Sequence, residues 1–591
     1  MLKYCRLCFL LALVILVSCG DTDRPESITI KIIQTSDVHG LLFPYDHINH
    51  SPAEGSLARV HRFVEDERAN NDQVVILLDN GDILQGQPMV YYYNFENQND
   101  EHILTRVMNF MKYDAATVGN HDIEAGHEVY DRVVAGSGFP WLAANILKKG
   151  TEEPYFKPYT ILEVEGIKIA VMGLITSMVP EWLPETLWVD MEFLEMVPEA
   201  ERWMQIVQEK EKPDIVVGLF HEGFGSTRKD GNNGESIYEN GSAEVASLVP
   251  GFDVVLIGHD HREWNTQIQN SSGNSVLVMG PGSHARQVSV AEIDLTYNRN
   301  SDSYIKEIKG EIVSLAGVEP DNAFMKEFEK EIEEVNNFVT RRIGEFSETI
   351  SSRDAMFGSS AFVDLIHMLQ IEITGAQISF AAPLSFDAEI SRGEVNVGDM
   401  FNLYRYENFL YTMELSGKEI KDYLEFSYGN WYNHMQDQDD LLLLYRRDEK
   451  GDISVSSDGQ RYLLAEPSFN FDSAAGIDYT VDVSKPEGSR IKISKLSNGD
   501  LFSMEATYSV AINSYRGSGG GGHLESGAGI PAEEFPDRII SSTQRDLRHY
   551  LIRWIEENNV VDPRALNNWE VIPADWSMIA REREAKLLYG N

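Results

Sequence analysis

Cysteine is almost absent from this sequence. Its 591 residues include three cysteines, Cys5, Cys8 and Cys19, all within the first nineteen positions. This distribution excludes a disulfide framework and a thiolate nucleophile from the rest of the chain. Cys5 and Cys8 have the spacing of a redox motif, but such motifs belong beside a βαβ unit. We therefore interpret this pair as incidental.

Positive charge is also scarce. The sequence has 50 lysines and arginines against 94 aspartates and glutamates, which gives a formal net charge of -44. The carboxylates are spread along the chain, and such a surface disfavours binding to nucleic acid duplexes and anionic membranes. An anionic substrate would have to be attracted by local cations, either bound metals or a few arginines.

Long hydrophobic runs are missing after the N-terminus. One apolar run, Leu7 to Val17, follows Lys3 and Arg6 and is too short to span a bilayer. It leads into Ser18-Cys19-Gly20, which resembles the cleavage box of bacterial lipoproteins. We predict that residues 1–19 are a lipoprotein signal peptide, that a lipid on Cys19 is the only membrane contact, and that the protein is exported to the periplasm or cell surface. A plain secretory signal with an incidental cysteine is the alternative.

From residue 28 onward, short apolar runs alternate with longer amphipathic stretches. The runs have strand length and are rich in β-branched residues. They are Ile28–Ile33, Val74–Leu78, Ala115–Val118, Ile167–Leu174, Ile215–Phe220, Val254–Ile257 and Val276–Met279. This pattern predicts an α/β domain over residues 28–318.

A second domain is predicted to follow a connecting helix. Residues 319–345 carry apolar side chains at helical spacing with charges between them, which indicates one amphipathic linker helix. Residues 346–559 mix helical patterns, as at Ser360 to Ile373 and Ser416 to Phe426, with short strands and turns. Residues 560–591 are predicted to be a C-terminal tail.

Residue types that bind metals follow five of the predicted strands. They are Asp37 and His39, then Asp82, Asn120, His221, and finally His259 and His261. In an open α/β sheet, ligands gather outside the carboxyl ends of the strands, so these side chains should meet in one crevice. Each segment alone is a weak signal, whereas all five at strand ends predict a dinuclear metal site.

The segments Gly119-Asn120-His121-Asp122 and Gly258-His259-Asp260-His261 are typical of one family. The first domain resembles the calcineurin-like metallophosphoesterases. Residues 28–559 resemble the two-domain 5'-nucleotidase superfamily, above all its bacterial 2',3'-cyclic-nucleotide 2'-phosphodiesterase/3'-nucleotidases. The resemblance implies a four-layer α/β/β/α sandwich joined by a helix to a smaller α+β substrate-binding domain.

The same resemblance implies two divalent metal ions. It assigns Asp37, His39 and His261 to the first ion, Asn120, His221 and His259 to the second, and Asp82 to a bridge between them. Such mixed ligands suit Zn, Mn, Co or Fe without selecting one. Two ions clamp a phosphoryl group and lower the pKa of a bound water toward roughly 7. A hydroxide nucleophile without a covalent intermediate is therefore expected.

His121 and Glu124 are predicted to act beside the metals. The resemblance places His121 over the leaving oxygen, where an imidazole can stabilise charge or donate a proton. Related enzymes often have an acid three residues later, which here is Glu124 in place of the shorter Asp of the 5'-nucleotidase branch. Asp122 and Asp260 are expected either to orient ligand imidazoles or to be exposed loop charges.

Two segments of the second domain, residues 402–408 and 512–522, resemble nucleoside-binding parts of the family. They imply the substrate-binding residues Tyr406, Tyr515, Arg516, Gly519 and Gly520. The two tyrosines should stack on the base, and the glycine run should let the backbone approach the ligand closely. The alternatives are core roles for the tyrosines and a surface turn for the glycines. His523 departs from the aromatic residue that the family has near this loop.

These features predict an exported phosphohydrolase that opens 2',3'-cyclic nucleotides and then removes the remaining 3'-phosphate. Its partner would be a small nucleotide. A 5'-nucleotidase/UDP-sugar hydrolase with the same metals is the alternative enzyme. A non-catalytic, surface nucleotide-binding lipoprotein is the alternative of another class, and the complete ligand set argues against it.

Overall fold

The computed structural model describes residues 24–229, 236–239, 241–448, 450–456, 459 and 461–590. The predicted signal peptide with Cys19 lies outside this part of the chain. Within the described residues, no helix combines the length and the apolar character needed to cross a bilayer.

The first domain contains two six-stranded sheets. In spatial order, the first sheet consists of Ser303–Ser314, Gln287–Asn298, Ser27–Thr35, Gln73–Asp79, Ala115–Thr117 and Trp141–Leu142. The second consists of Glu263–Gln269, Ser275–Pro281, Val254–Ile257, Ile215–His221, Ile167–Ile175 and Tyr159–Val164. The central strands of both sheets run parallel, and all seven predicted strands are present.

The two sheets pack face to face and share a dry core. Ile30, Ile32 and Ile76 of one sheet cluster with Val171 and Val217 of the other, and all five are buried. Helices cover the outer faces: Leu57–Arg68, Ile103–Met111 and His127–Gly136 on one side, Met196–Lys210 and Ser242–Leu248 on the other. Strands covered on both faces carry continuous apolar runs. The predicted four-layer α/β/β/α sandwich is confirmed.

The linker differs from the single helix that the sequence predicts. It forms two helices, Asn322–Glu327 and Glu329–Val339, because Phe328 between them leaves the helical conformation with φ -107° and ψ 17°. The ring of Phe328 packs 5.6 Å from that of Phe110 in the first domain. The segment is therefore packed against the first domain at Phe328 and is not a free connector.

The second domain is built on a five-stranded sheet. In order, its strands are Ser473–Ala475, Ile378–Ala381, Thr507–Asn513, Leu410–Ser416 and Ile539–Ser542. The main helices are Ala361–Thr374, Val397–Leu403, Gly417–Trp431 and Leu547–Asn558. Ser360 and Ser416 cap the first and third of these helices through hydrogen bonds to backbone N–H groups, which stabilises helix starts. The predicted α+β domain is confirmed.

The prediction that residues 560–591 form a C-terminal tail is wrong. Val560–Val561 pairs with the strand Arg342–Phe346, and Trp569–Ile572 pairs with Ile477–Asp482. The helix Ala574–Tyr589 then buries Ala580 and Leu588 in the core of the second domain. The short apolar runs of this region give little periodicity, so their long-range pairing was not visible in the sequence.

Candidate active site

The seven predicted ligands meet at one edge of the two sheets. The strands that lead to them end at Thr35, Asp79, Thr117, His221 and Ile257. Pairing places Asp79 beside Thr35 in the first sheet, and Phe220 beside Ile257 in the second. Ligands that are more than two hundred residues apart in sequence therefore share one site.

The first group of ligands comprises Asp37, His39 and His261, whose donor atoms lie within 4.8 Å of one another. The Nε2 atoms of His39 and His261 are 3.0 Å apart, and His261 Nε2 is 3.5 Å from Asp37 Oδ1. Two imidazole nitrogens and a carboxylate oxygen converging in this way fit one divalent transition-metal ion.

The second group adds Asp82, Asn120, His221 and His259. Asn120 Oδ1 lies 3.1 Å from His221 Nε2 and 3.0 Å from His259 Nδ1. Asp82 Oδ2 is 3.2 Å from His221 Nε2, and Asp82, His221 and His259 also form a compact donor set. This grouping matches the predicted division of ligands between two ions, and the bridging role of Asp82 remains a prediction.

Five of the candidate ligands have left-handed backbone conformations. Asp37, His39, Asp82, His259 and His261 have φ between 48° and 69°. Non-glycine residues seldom adopt positive φ, and such strain is concentrated at functional sites. Each ligand follows a strand at a sharp turn, and this turn is what directs its side chain into the crevice.

Two glycines allow the ligand loops to come close together. A Cβ on Gly119 would lie 2.2 Å from Asp82 Oδ1, and a Cβ on Gly258 would lie 2.2 Å from Ser36 Oγ. Any larger residue would push these loops apart. The glycines that precede Asn120 and His259 are therefore part of how the site is assembled.

Polar groups behind the ligands fix the imidazole rings. His221 Nδ1 is 2.6 Å from the carbonyl oxygen of Asn80, and His39 Nδ1 is 3.2 Å from Gln85 Oε1. Each contact leaves Nε2 directed at the metal group, an arrangement common in metal sites. Burial lowers the pKa of His39 to about 3 and that of His259 to about 4. Both rings thus stay neutral, which is the form that binds metals.

Asp82 is the electrostatic centre of the site. Burial alone would raise its pKa, but His221 and His121 hold it well below its usual value. Burial alone would lower the pKa of His221, but Asp82 outweighs this and raises it to about 10. A divalent cation would replace the His221 proton, because metal binding requires the neutral imidazole.

His121 and Glu124 lie on one turn of the short helix Asn120–Glu124. Glu124 Oε2 is 2.5 Å from His121 Nδ1. The pairing of this histidine with an acid is therefore kept, although the acid is a glutamate and not the shorter aspartate. Burial lowers the pKa of His121, but Asp82 and Glu124 outweigh it and raise the pKa to about 9. The imidazole is thus held in one orientation with its Nε2 free of Glu124.

A cavity of about 330 Å³ lies between the candidate metal ligands and the second domain. Its first-domain wall includes Asn120, His121 and His259. Its second-domain wall consists of Leu384, Tyr406, Asn408, Phe469, Asn513 and Tyr515. The rings of Tyr406 and Phe469 meet edge to face with centroids 5.9 Å apart. The cavity thus combines metal donors on one side with aromatic rings on the other.

Comparison with protein families agrees with this architecture. Residues 30–263 match the calcineurin-like phosphoesterase model, and residues 342–526 match the model of the 5'-nucleotidase C-terminal domain. The chain belongs to the calcineurin-like phosphoesterases that carry a 5'-nucleotidase C-terminal domain. All seven candidate ligands fall within the phosphoesterase match, and Tyr406 and Tyr515 fall within the other.

Several relatives of this phosphoesterase are known by sequence. The trifunctional nucleotide phosphoesterase protein YfkN of Bacillus subtilis is 25% identical over 95% of this chain, which spans 40% of that protein. The 2',3'-cyclic-nucleotide 2'-phosphodiesterase/3'-nucleotidase of Salmonella typhimurium is also 25% identical, over 93% of this chain and 89% of that protein.

A solved structure has the same fold as this phosphoesterase. A Staphylococcus aureus protein assigned as a 5'-nucleotidase, solved with alpha-ketoglutarate, aligns with a TM-score of 0.72 at 21% sequence identity. The alignment covers 92% of this chain and 99% of that protein. At this level of identity the match supports the two-domain fold alone.

Arg516 does not reach the cavity of this phosphoesterase, contrary to prediction. Its side chain is 1% exposed and its Nε donates a 3.0 Å hydrogen bond to Asp472 Oδ2. It also donates to the carbonyl oxygens of Phe469 and Gly520. Arg516 therefore ties together the segments that carry the cavity rings of Phe469 and Tyr515, and the sequence motif could not distinguish this role from substrate contact.

Gly519 and Gly520 also lie behind the cavity wall and do not line it. A Cβ on Gly520 would lie 2.5 Å from the Tyr515 ring, and Gly519 has φ +107°. The glycine run lets the chain turn tightly around Tyr515, so the predicted backbone contact with substrate is replaced by a structural role. His523 is buried between Tyr423 and Phe426 and is likewise not part of the cavity lining.

Asp122 and Asp260 do not orient the ligand imidazoles. The Asp122 carboxylate is buried and accepts hydrogen bonds from the backbone N–H groups of Asp82, Ile83, Leu84 and Gly119. Asp260 accepts from Trp264 Nε1 and from the N–H of Phe224. Asp122 is thus neither a partner of an imidazole nor an exposed charge, and the half-buried Asp260 bonds groups of the loops instead of a ligand ring.

Sequence reasoning missed several residues around the cavity. Gln85 and Asn80 contact ligand rings, while Trp182 and Leu183 line the cavity from the first domain. Trp182 lies in a short helix after the strand Ile167–Ile175, and no metal-binding residue type marks that strand end. The polar residues directly after Val74 to Leu78 were the available signal for Asn80.

Proposed function

We propose that this chain hydrolyses 2',3'-cyclic nucleotides and 3'-nucleotides to nucleosides and phosphate. The observation that carries the proposal is the shared cavity, where Asn120, His121 and His259 face Tyr406 and Tyr515. A phosphoryl group held at the metal ligands would leave its nucleoside between the aromatic rings. Stacking on such rings accepts any base, which suits a nucleotide scavenger with broad base tolerance.

Two divalent ions, Zn, Mn, Co or Fe, are the proposed cofactors. When bound, they supply a phosphoryl clamp and a water of lowered pKa. His121 is proposed to stabilise or protonate the leaving oxygen, because its Nδ1 is occupied by Glu124 and its Nε2 remains available. Proton donation of this kind typically contributes about 10²- to 10⁴-fold to a rate.

The cyclic-phosphodiesterase branch is favoured over 5'-nucleotidase activity by the relatives that match most of the chain. Three of them are named 2',3'-cyclic-nucleotide 2'-phosphodiesterase/3'-nucleotidase, and this chain spans 88% to 89% of their length. Proteins named UshA match only 40% to 41% of the chain, at 29% to 31% identity. The cyclic phosphodiesterases therefore match both domains of this chain, whereas the UshA proteins match less than half of it.

A substrate panel tests the proposal. We expect kcat/KM for 2',3'-cyclic AMP and 3'-AMP to exceed that for 5'-AMP and UDP-glucose by at least about tenfold, since a site built for one ester geometry discriminates against the others. The measurement is phosphate or nucleoside release by the metal-loaded protein, with a chelator-treated sample as control. A preference for 5'-AMP would instead support the 5'-nucleotidase alternative. Nucleotide binding without turnover of any of the four would support a binding protein.

We also propose that the protein is exported and lipid-anchored through Cys19. The support is the sequence alone, namely the apolar run Leu7 to Val17 followed by Ser18-Cys19-Gly20. Labelling of producing cells with a fatty acid analogue should mark the protein, and Cys19→Ser should remove the label. Cys5→Ser and Cys8→Ser are matched controls that should keep it. A label that survives Cys19→Ser would exclude this anchor.

A further inference from the structure

Trp182 forms a wall of the cavity that comes from the metal-binding domain. It ends the short helix Val179–Trp182, which follows the strand Ile167–Ile175. Ile175, the last residue of that strand, pairs with the ligand His221. Trp182 therefore projects from the same sheet edge as the metal ligands, although it is no ligand itself.

The Trp182 indole is stacked on a metal ligand. Its ring lies 5.3 Å from that of His259, with an angle of 12° between the planes. One face of the indole is covered by this contact, and the residue as a whole lines the cavity with Asn120 and His121. Trp182 is half-buried, and its N–H makes no hydrogen bond within the described residues and is not buried.

The second domain meets this wall directly. The helix Val179–Trp182 contacts the helix Ser514–Gly517, which carries Tyr515. Tyr515, Tyr406 and Phe469 line the opposite side of the same cavity. The aromatic enclosure thus has three rings from one domain and one from the other. The arrangement of domains in this structure brings all four around one space.

We propose that Trp182 contacts the nucleoside of the substrate and is a specificity-determining residue. This inference rests on the proposed nucleotide hydrolysis. The nucleoside would touch Trp182 in the same arrangement that places the phosphate at the metal ligands. Binding energy realised in the reactive arrangement raises turnover on nucleotides beyond that on esters without a nucleoside. The phosphate chemistry itself does not require the indole.

The test compares two phosphomonoesters, 3'-AMP and glycerol 2-phosphate, which has no ring. We expect Trp182→Ala to lower kcat/KM for 3'-AMP by roughly ten- to a hundredfold, the effect of one lost aromatic contact. The value for glycerol 2-phosphate should stay within about twofold. Trp182→Phe should retain most of the activity on 3'-AMP, because it keeps an aromatic face. Adenosine should inhibit glycerol 2-phosphate hydrolysis, and Trp182→Ala should weaken that inhibition by a similar factor.

Two controls separate substrate contact from support of His259. Metal content of each variant is measured, because a collapse of the His259 position would reduce it. Trp203→Ala removes a tryptophan from the helix Met196–Lys210 of the same domain, where its ring packs near Tyr159. This variant should leave kcat/KM for both substrates unchanged.

The outcomes are distinct. An equal loss on both substrates accompanied by metal loss, unchanged kinetics on 3'-AMP, or no inhibition of the wild-type protein by adenosine would each overturn the role of Trp182. A wild-type protein that cleaves glycerol 2-phosphate and binds adenosine through Trp182, yet leaves 3'-AMP intact, would overturn the proposed function while supporting this inference.

Discussion

Replacing Asp82 with alanine should lower turnover on every nucleotide by at least about a thousandfold, because both proposed metal ions would lose a shared ligand. Asp82 is 1% exposed and has His221 Nε2 3.2 Å from its Oδ2. Metal bound per chain, measured by elemental analysis, should fall from two ions toward one or none. Steady-state assays with added metal would show whether any activity returns.

Asp114→Ala is the matched control for this substitution. Asp114 directly precedes the strand Ala115–Thr117 of the first sheet, and its carboxylate accepts a hydrogen bond from the N–H of Leu77. Its removal should reduce thermal stability while leaving metal content intact. If Asp82→Ala retained two ions and full turnover, the bridging assignment would be wrong. If Asp114→Ala lost metal to the same extent, the loss would reflect damage to the sheet.

Replacing His121 with alanine should lower kcat by roughly 10²- to 10⁴-fold, the usual contribution of a positioned general acid, with metal content nearly unchanged. We expect the loss of kcat without a loss of metal because of the position of His121. His121 lines the cavity beside Asn120, but its ring nitrogen Nδ1 is engaged by Glu124. Metal analysis and kcat on 2',3'-cyclic AMP measure both quantities on one preparation.

Glu124→Gln is a milder substitution that tests the same His121 side chain. It keeps a hydrogen-bonding side chain at the position 2.5 Å from His121 Nδ1 but removes the charge that helps to raise the pKa of His121. We expect a smaller loss of kcat than for His121→Ala. His127→Ala is a control on the next helix, His127–Gly136, and should be close to wild type. Loss of metal in His121→Ala would show that His121 acts as a ligand.

Much of the fold could be predicted from local patterns. The strand Val254–Ile257 is buried on both faces, so its sequence is a continuous apolar run. The strand at Ile28 to Ile33 alternates buried isoleucines with the partly buried Thr29 and Lys31. The break at Phe328 was hidden because its ring keeps the helical spacing of apolar residues while its backbone departs from the helix. The strands Val560–Val561 and Trp569–Ile572 pair with strands more than eighty positions away, and no local pattern encodes such pairing.

The convergence of the candidate metal ligands could be predicted for a related reason. Each of them lies at the carboxyl end of a strand or in the turn that follows it, so that the sheet edge brings them together. The cavity could be predicted less well because its walls come from loops in both domains. Arg516 and Tyr515 are adjacent in sequence, yet one is buried in an ion pair with Asp472 and the other lines the cavity. Side-chain direction in such a loop depends on tertiary packing.

Positive φ angles limit the residue types that can replace five of the candidate ligands without backbone strain. These are Asp37, His39, Asp82, His259 and His261. A β-branched residue is strongly disfavoured in this backbone region, whereas Asn, Asp, His and Gly are tolerated. Of these four, all but Gly can also bind a metal. Backbone geometry and coordination chemistry thus favour nearly the same few residue types at these positions. A drifting copy of this gene should exchange its ligands for asparagine or glycine more readily than for larger side chains.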